Sequence, residues 1–368
     1  MKLRTPTKQV IRSINAVLIR IDADVPTSNG RIRYLADDRL RAALPEIKKW
    51  RALNKQVVLM GHAGRPAGKR VKSLSLAPVA TRLGSLLGET VKLVTLEEAQ
   101  RAVHDGTKIL LLENLRFDAQ EKKNGKRFAK KLALLADIYI NNAFSVSHRK
   151  HASMHAIHDH LDGYAGESLL REVKELSRPL RKPYFLALGG IKLKTRLPLI
   201  EHLAQDAEGI LLGSGMSSVI ASNTKVNFRV SSQERRIAKL LLKNFAEKLI
   251  FPVDIKISKG FAIDVGPKSI TEYRKKLKGA RTIIWNGPFG QIEKRGGMDG
   301  TYAFAKLLQR HEARVIIGGG DTVGYLRKRG ALKGIDFVST GGSAMLQFLA
   351  GKEMPGLEKL SFDIIKRI

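Results

Sequence analysis

Two groups of residues in this chain could do chemistry, and both suit phosphate. The first is Gly318-Gly319-Gly320-Asp321-Thr322, set directly after the β-branched run Val315-Ile316-Ile317 and before a segment able to start a helix. Glycine lets backbone N–H groups approach a phosphate that a Cβ would hold off. Asp321 and Thr322 are the residue types that hold Mg²⁺ and a phosphate oxygen. The second group is Arg39, His62, Arg65, Arg116 and Arg149, with Asp22 and Asp24 near the start of the chain. Its cations suit a small phosphorylated acid.

Taken singly, each signal has a plainer reading. The dinucleotide pattern GxGxxG would need glycine at 323, where Val323 stands, and GxxxxGK[ST] does not occur. A glycine-rich turn without a ligand therefore stays open, as does Asp321 serving as a helix cap. His62 could equally cap a turn. In so basic a chain any one arginine is by default a surface arginine. His148, His151, His155, His158 and His160 lack an acidic third ligand at a motif spacing, so structural or solvated histidines are expected. Trp285, ending an apolar run, is expected in the core.

The elements that must position these residues are alternating strands and helices. Apolar runs predict strands over Ala16 to Asp22, Gln56 to Met60, 91 to 94, 108 to 112 and 136 to 140, with helices over Asp38 to Trp50 and around Leu76 to Leu87. Ser28-Asn29-Gly30 reads as a turn. Asp22 and Asp24 follow the first strand, His62 and Arg65 the second, Asn114 and Arg116 a later one, and Asn141 and Asn142 the last. Open α/β sheets bind ligands at the carboxyl ends of their strands, so these residues should share one edge. Gly166 to Pro179 predicts one amphipathic helix and a domain junction. A second series then runs Tyr184 to Leu188, Gly209 to Leu212, Arg281 to Trp285, Arg314 to Ile317 and Phe337 to Thr340, each strand ending in or next to glycine.

The expected fold is thus α/β: two Rossmann-like domains with parallel sheets flanked by helices, joined by a hinge helix. The boundaries expected are 1–165, 166–182, 183–352 and 353–368, the last segment returning to the first domain. At 368 residues, two domains are the default. The first would offer side-chain cations and the second glycine amides, a carboxylate and Lys192, a division that suits phosphoryl transfer between two anionic ligands. The chain has no cysteine, which removes disulfides and thiolate chemistry. The start Met1-Lys2-Leu3-Arg4-Thr5-Pro6 lacks the apolar core of a signal peptide, and Gly209 to Thr224 is too polar for a membrane span. A soluble, cytoplasmic monomer without membrane partners is expected. A net charge of +32 would attract nucleic acid nonspecifically. A nucleic-acid-binding protein that keeps such a phosphoryl-transfer scaffold with reduced catalysis is therefore the alternative, although the cations are dispersed and aromatic residues make up only 6%.

In order along nearly the whole chain, the motifs resemble those of the phosphoglycerate kinase family. Val25-Pro26, Gly61-His62-Ala63-Gly64-Arg65-Pro66, Leu111-Leu112-Glu113-Asn114-Leu115-Arg116-Phe117, and Asn142-Ala143-Phe144 leading to His148-Arg149 resemble its substrate domain. Gly189-Gly190-Ile191-Lys192, Gly266-Pro267-Lys268-Ser269, Trp285-Asn286-Gly287-Pro288-Phe289-Gly290, the Gly318 to Thr322 stretch and Ser339-Thr340-Gly341-Gly342 resemble its nucleotide domain. The resemblance implies reversible transfer between 1,3-bisphosphoglycerate and MgADP, giving 3-phosphoglycerate and MgATP. It implies that Asp22, Asp24, Arg39, His62, Gly64, Arg65, Arg116 and Arg149 bind the acid. Lys192, Arg196, Gly213, Asn286, Pro288, Glu293, Gly319, Gly320, Asp321 and Thr322 would hold the nucleotide, with Asp321 on Mg²⁺ and Glu293 on the ribose. Arg39, Lys192 and the Gly342 backbone would stabilise the group in flight. Against the family pattern, Asp24 replaces asparagine, Arg196 lysine, Asn142 aspartate, Ser214 and Ser343 glycines, and Gln347 glutamate. A second carboxylate at 24 should weaken anion binding unless an arginine pairs with it.

Overall fold

The computed structural model describes residues 1–28, 30–32, 37–103, 105–190, 193–221 and 231–362, the side chains of 28 and 193–199 excepted. The chain forms two compact units, Met1–Ser177 with Glu353–Ile368, and Arg178–Lys352.

The first unit is built on six strands: β1 Ala16–Arg20, β2 Gln56–Met60, β3 Lys92–Val94, β4 Ile109–Leu112, β5 Ile138–Asn141 and β6 Gly163–Ala165. They lie in the order β3-β4-β2-β1-β5-β6, all parallel. The runs Val17–Ile19, Val57–Met60, Ile109–Leu112 and Ile138–Ile140 are continuously apolar because both faces of the sheet are covered there. Val17, Ile19, Val57, Leu59, Ile109 and Leu111 enter one core, while Leu18, Val58, Met60, Leu110 and Leu112 enter the other. Each such side chain contributes about 1.5–3 kcal/mol by leaving water. Helix α1 (Asp38–Ala52) buries Leu40, Ala43, Ile47 and Trp50, a three-four spacing that lines one face. Helices α2 (Ala77–Leu87), α3 (Lys126–Ala133) and α4 (Glu167–Leu176) complete the layers. Glu46 fixes α4 to α1, accepting from Trp50 Nε1 at 2.6 Å and from the Glu167 N–H at 2.7 Å.

The second unit repeats the plan with β7 Tyr184–Leu188, β8 Gly209–Leu212, β9 Leu249–Ile250, β10 Thr282–Asn286, β11 Arg314–Gly318 and β12 Phe337–Val338. The order is β9-β8-β7-β10-β11-β12, again parallel. Its helices are α5 (Leu193–Asp206), α6 (Pro267–Lys276), α7 (Asp299–Leu308), α8 (Gly320–Lys328) and α9 (Gly342–Leu349), beside the additional helices Ser214–Ile220 and Ser232–Phe245. Trp285 is fully buried, with Phe304 edge-on at 4.9 Å, and its Nε1 donates to the Gly287 carbonyl at 2.8 Å. The core thereby holds the loop after β10 in place.

The α/β fold with two parallel sheets is as the sequence predicts, with small differences at element ends. The first strand stops at Arg20 and not at Asp22; Ile21 N still donates to Met60 O, and the chain then turns. The last stops at Val338, two residues before Thr340. The strands β6 and β9 and the ribbons Thr27–Ser28/Arg31–Ile32 and Ile255–Ser258/Phe261–Val265 went unpredicted, being short or lacking an apolar run. Asn29, in the expected turn, lies outside the described residues.

Candidate active site

In the first unit, parallel register sets the loop starts side by side. Arg20 is level with Met60 of β2 and with Asn141 of β5. The residues that follow these strands are therefore neighbours. Asp22 accepts from Arg39 of α1, Nε to Oδ2 at 3.1 Å and Nη1 to Oδ1 at 3.3 Å, and also from the Ser145 hydroxyl. The same Nη1 donates to the Asp24 carbonyl at 2.8 Å. The Asp24 carboxylate accepts from the Gly64 N–H at 3.0 Å, and the Gly64 carbonyl accepts from Arg116 Nη1 at 2.6 Å. Asn114 orients that turn, donating to the Ala63 and Leu74 carbonyls at 2.8 and 2.9 Å and accepting from the Arg116 N–H at 3.1 Å.

Electrostatically this edge is an interior cation cluster. Arg116 is only 3% exposed, and its Nε and Nη2 are buried without a hydrogen-bond partner. Burial first, then Arg149 and Arg20, pull its pKa down to about 10, leaving it charged at neutral pH. Burial and the nearby Arg65 lower Arg149 in the same sense. His62, 2% exposed, is held well below its usual range by burial and then by Arg20, Arg116 and Arg149. It is a neutral acceptor, consistent with Arg20 Nη2 donating to its Nδ1 at 2.6 Å. His148 is likewise brought down to about 4 by burial and Arg149. The structure thus brings Asp22, Asp24, Arg39, His62, Gly64, Arg116 and Arg149 together, with exposed Arg65 at their margin. No arginine makes an ion pair with the Asp24 carboxylate among the described residues, but its charge acts on both Arg116 and Arg149. Sequence spacing did not single out Arg20; an arginine closing an apolar strand was the available signal.

In the second unit the register does the same with backbone. Leu188, Asn286 and Gly318 are level, so Gly189, Gly287 and Gly319 begin their loops together. Gly319 has φ +110°, a region side chains rarely adopt, and a Cβ on Gly342 would lie 2.8 Å from its Cα. Asn286 Nδ2 donates to the Gly342 carbonyl at 3.0 Å, tying the start of α9 to β10. Gly213 N donates to Leu188 O at 2.8 Å, and Gly190 N to Pro288 O at 3.0 Å. Gly320 opens α8, Asp321 is exposed in its first turn without capping it, and Thr322 Oγ1 is buried with no partner. Exposed Glu293 is joined to none of these by a hydrogen bond among the described residues. Lys192 lies outside the described residues, as does the side chain of Arg196.

An α8 N-terminus with an unpartnered hydroxyl beside an exposed carboxylate fits a phosphate-bound Mg²⁺, an ion that takes one or two carboxylates and leaves the rest to phosphates and water. Among the described residues no cluster of three acidic or histidine side chains forms a metal cage, and no helix is long and apolar enough to cross a membrane. One strand edge with buried cations and another with bare amides define an α/β phosphotransferase handling two anions. The chain belongs to the phosphoglycerate kinase family: the family model described as "Phosphoglycerate kinase" matches residues 9–352. A phosphoglycerate kinase of Moorella thermoacetica is 35% identical over 94% of this chain and 96% of its own, and one of Desulforudis audaxviator is 36% identical over 96% and 99%. Among solved structures, the phosphoglycerate kinase of Coxiella burnetii, 34% identical, superposes with a TM-score of 0.75 over 94% of this chain and 95% of that one. That of Pyrococcus horikoshii, 26% identical, reaches 0.83 over 96% and 97%. The chain is thus a kinase acting on a carboxyl group, and the nucleic-acid reading gains no support.

Proposed function

We propose that this kinase binds 3-phosphoglycerate or 1,3-bisphosphoglycerate at the cation edge of the first unit and ADP or ATP at the glycine edge of the second. A substrate carboxylate oxygen attacks the γ-phosphorus of ATP as the bond to ADP breaks, and the reverse returns the group to ADP, so no protein nucleophile is needed. Arg116, Arg149, Arg65 and Arg39 bind the acid's phosphate and carboxylate, and neutral His62 orients it. Gly319, Gly320 and Thr322 cradle nucleotide phosphates, Gly213, Asn286 and Pro288 shape the adenylate side, and Glu293 reaches the ribose. Asp321 holds Mg²⁺, which when bound neutralises phosphate charge. Arg39, Lys192 and the Gly342 backbone stabilise the transferring group, and Arg196 supplements them at the nucleotide. Transfer requires the ligands to meet, and a hinge within 166–182, between domains 1–165 and 183–352, is the proposed means.

One observation carries the acid site: a buried guanidinium, Arg116, that keeps two N–H-bearing nitrogens unpartnered. Such groups are costly without an anion. Steady-state kinetics on two variants tests the division of labour. Arg116→Ala should raise KM for 3-phosphoglycerate by roughly 100-fold with KM for MgATP within about twofold. Asp321→Ala should cut kcat by at least roughly 100-fold with the fold intact by circular dichroism. Arg116→Ala acting on the MgATP KM instead would refute the assignment.

A further inference from the structure

Behind the cation edge runs a buried polar line that no catalytic role accounts for. Glu121 sits in the one-turn helix Ala119–Lys122 and is 0% exposed. Its Oε1 accepts from the Ser153 hydroxyl at 2.7 Å and its Oε2 from the Ser153 N–H at 3.0 Å. The Ser153 oxygen accepts from Arg20 Nε at 3.1 Å. Arg20 then donates to His62 Nδ1 at 2.6 Å and to the Ile21 carbonyl. Ser153 and Arg20 are also 0% exposed, and His62 is 2% exposed.

Each link is directional. A hydroxyl has one proton, and Ser153 spends it on Glu121, so its lone pair must take the Arg20 N–H. Arg20, whose charge is buried, needs an anion close by, and Glu121 supplies it across one hydroxyl. His151 Nδ1 stands 3.7 Å from the same carboxylate, and the Glu121 carbonyl accepts from Ala152 N at 2.9 Å, so the loop carrying Arg149 is anchored to the same point. A direct Arg–Glu pair would have drawn Arg20 back; the interposed serine leaves its fork engaged with His62.

We propose that Glu121 is a positioning residue for the acid substrate, acting through Ser153 and Arg20 to set His62 and the loop of Arg149. This rests on the acid binding at the Arg116 edge. Kinetics of Glu121→Gln and Ser153→Ala, with Arg116→Ala as reference, test it, since KM is unaffected by a loss of active fraction. Both variants should raise KM for 3-phosphoglycerate about tenfold, with kcat and KM for MgATP within about twofold. If both merely melt at lower temperature, with KM for 3-phosphoglycerate unchanged while Arg116→Ala raises it, the positioning role is overturned and Glu121 is only structural. If Arg116→Ala also leaves that KM unchanged, the acid site itself is misassigned and the relay falls with it.

Discussion

A carboxylate in a cation cluster sets the chemistry of single residues here. Asp24 accepts the Gly64 N–H and tends to raise the pKa of Arg116 and Arg149 by proximity. It thus stabilises those cations but would repel the acid proposed to bind beside them. Asparagine at 24 could accept the same N–H without the charge. Asp24→Asn should therefore lower KM for 3-phosphoglycerate about threefold, on the order of 0.7 kcal/mol at partly screened dielectric. Titration of substrate into both proteins by calorimetry checks this, and a weaker variant would mean that the loss of cation support outweighs the relief of repulsion. Much of this edge was legible in the sequence, because Asp22, His62, Asn114 and Arg116 each follow an apolar run. Arg20 and Glu121 were not. Their value lies in contacts across 42 and 133 residues for Arg20, and 32 for Glu121, which no local spacing encodes.

At the scale of elements, register does the positioning, and register follows from packing. A slip of one residue would exchange Leu18, Val58 and Leu110 in one core for Val17, Val57 and Ile109 in the other, and so cost the fit of side chains in both. Strand placement was therefore readable from apolar runs, whereas the two-stranded ribbons were not, since polar Lys256, Ser258 and Asp264 interrupt any such pattern. The ribbon Ile255–Ser258/Phe261–Val265 carries a testable charge. Asp264 is 0% exposed, and burial raises its pKa to about 6 despite N–H donations from Gly300 at 2.7 Å and Val265 at 2.9 Å. With an unfolded value near 3.9, the folded state holds this proton more tightly, so its contribution is greatest below about pH 4 and is lost as pH rises through about 6. Asp264→Asn should gain about 2 kcal/mol relative to the parent chain between about pH 4 and pH 7. Urea unfolding across that range would show converging or crossing stabilities; parallel curves would contradict the assignment.

For the whole molecule, two units repeat one architecture and differ in what they present at the strand ends. One shows side-chain cations and the other backbone amides, and the order of motifs along the chain already carried that division. The formal charge of +32 exceeds what either edge uses, and nothing in the structure explains the surplus. Family membership makes the chain a kinase, and we propose that its two edges hold an acyl phosphate and a magnesium nucleotide. The most direct measurement is ATP formation by the purified chain from 1,3-bisphosphoglycerate and ADP, followed by a coupled reductive readout with and without Mg²⁺. This division of ligands predicts turnover that needs both substrates, stops on chelation of the metal and is restored by its return. Folded protein that forms no ATP under saturating substrates and Mg²⁺ would contradict it.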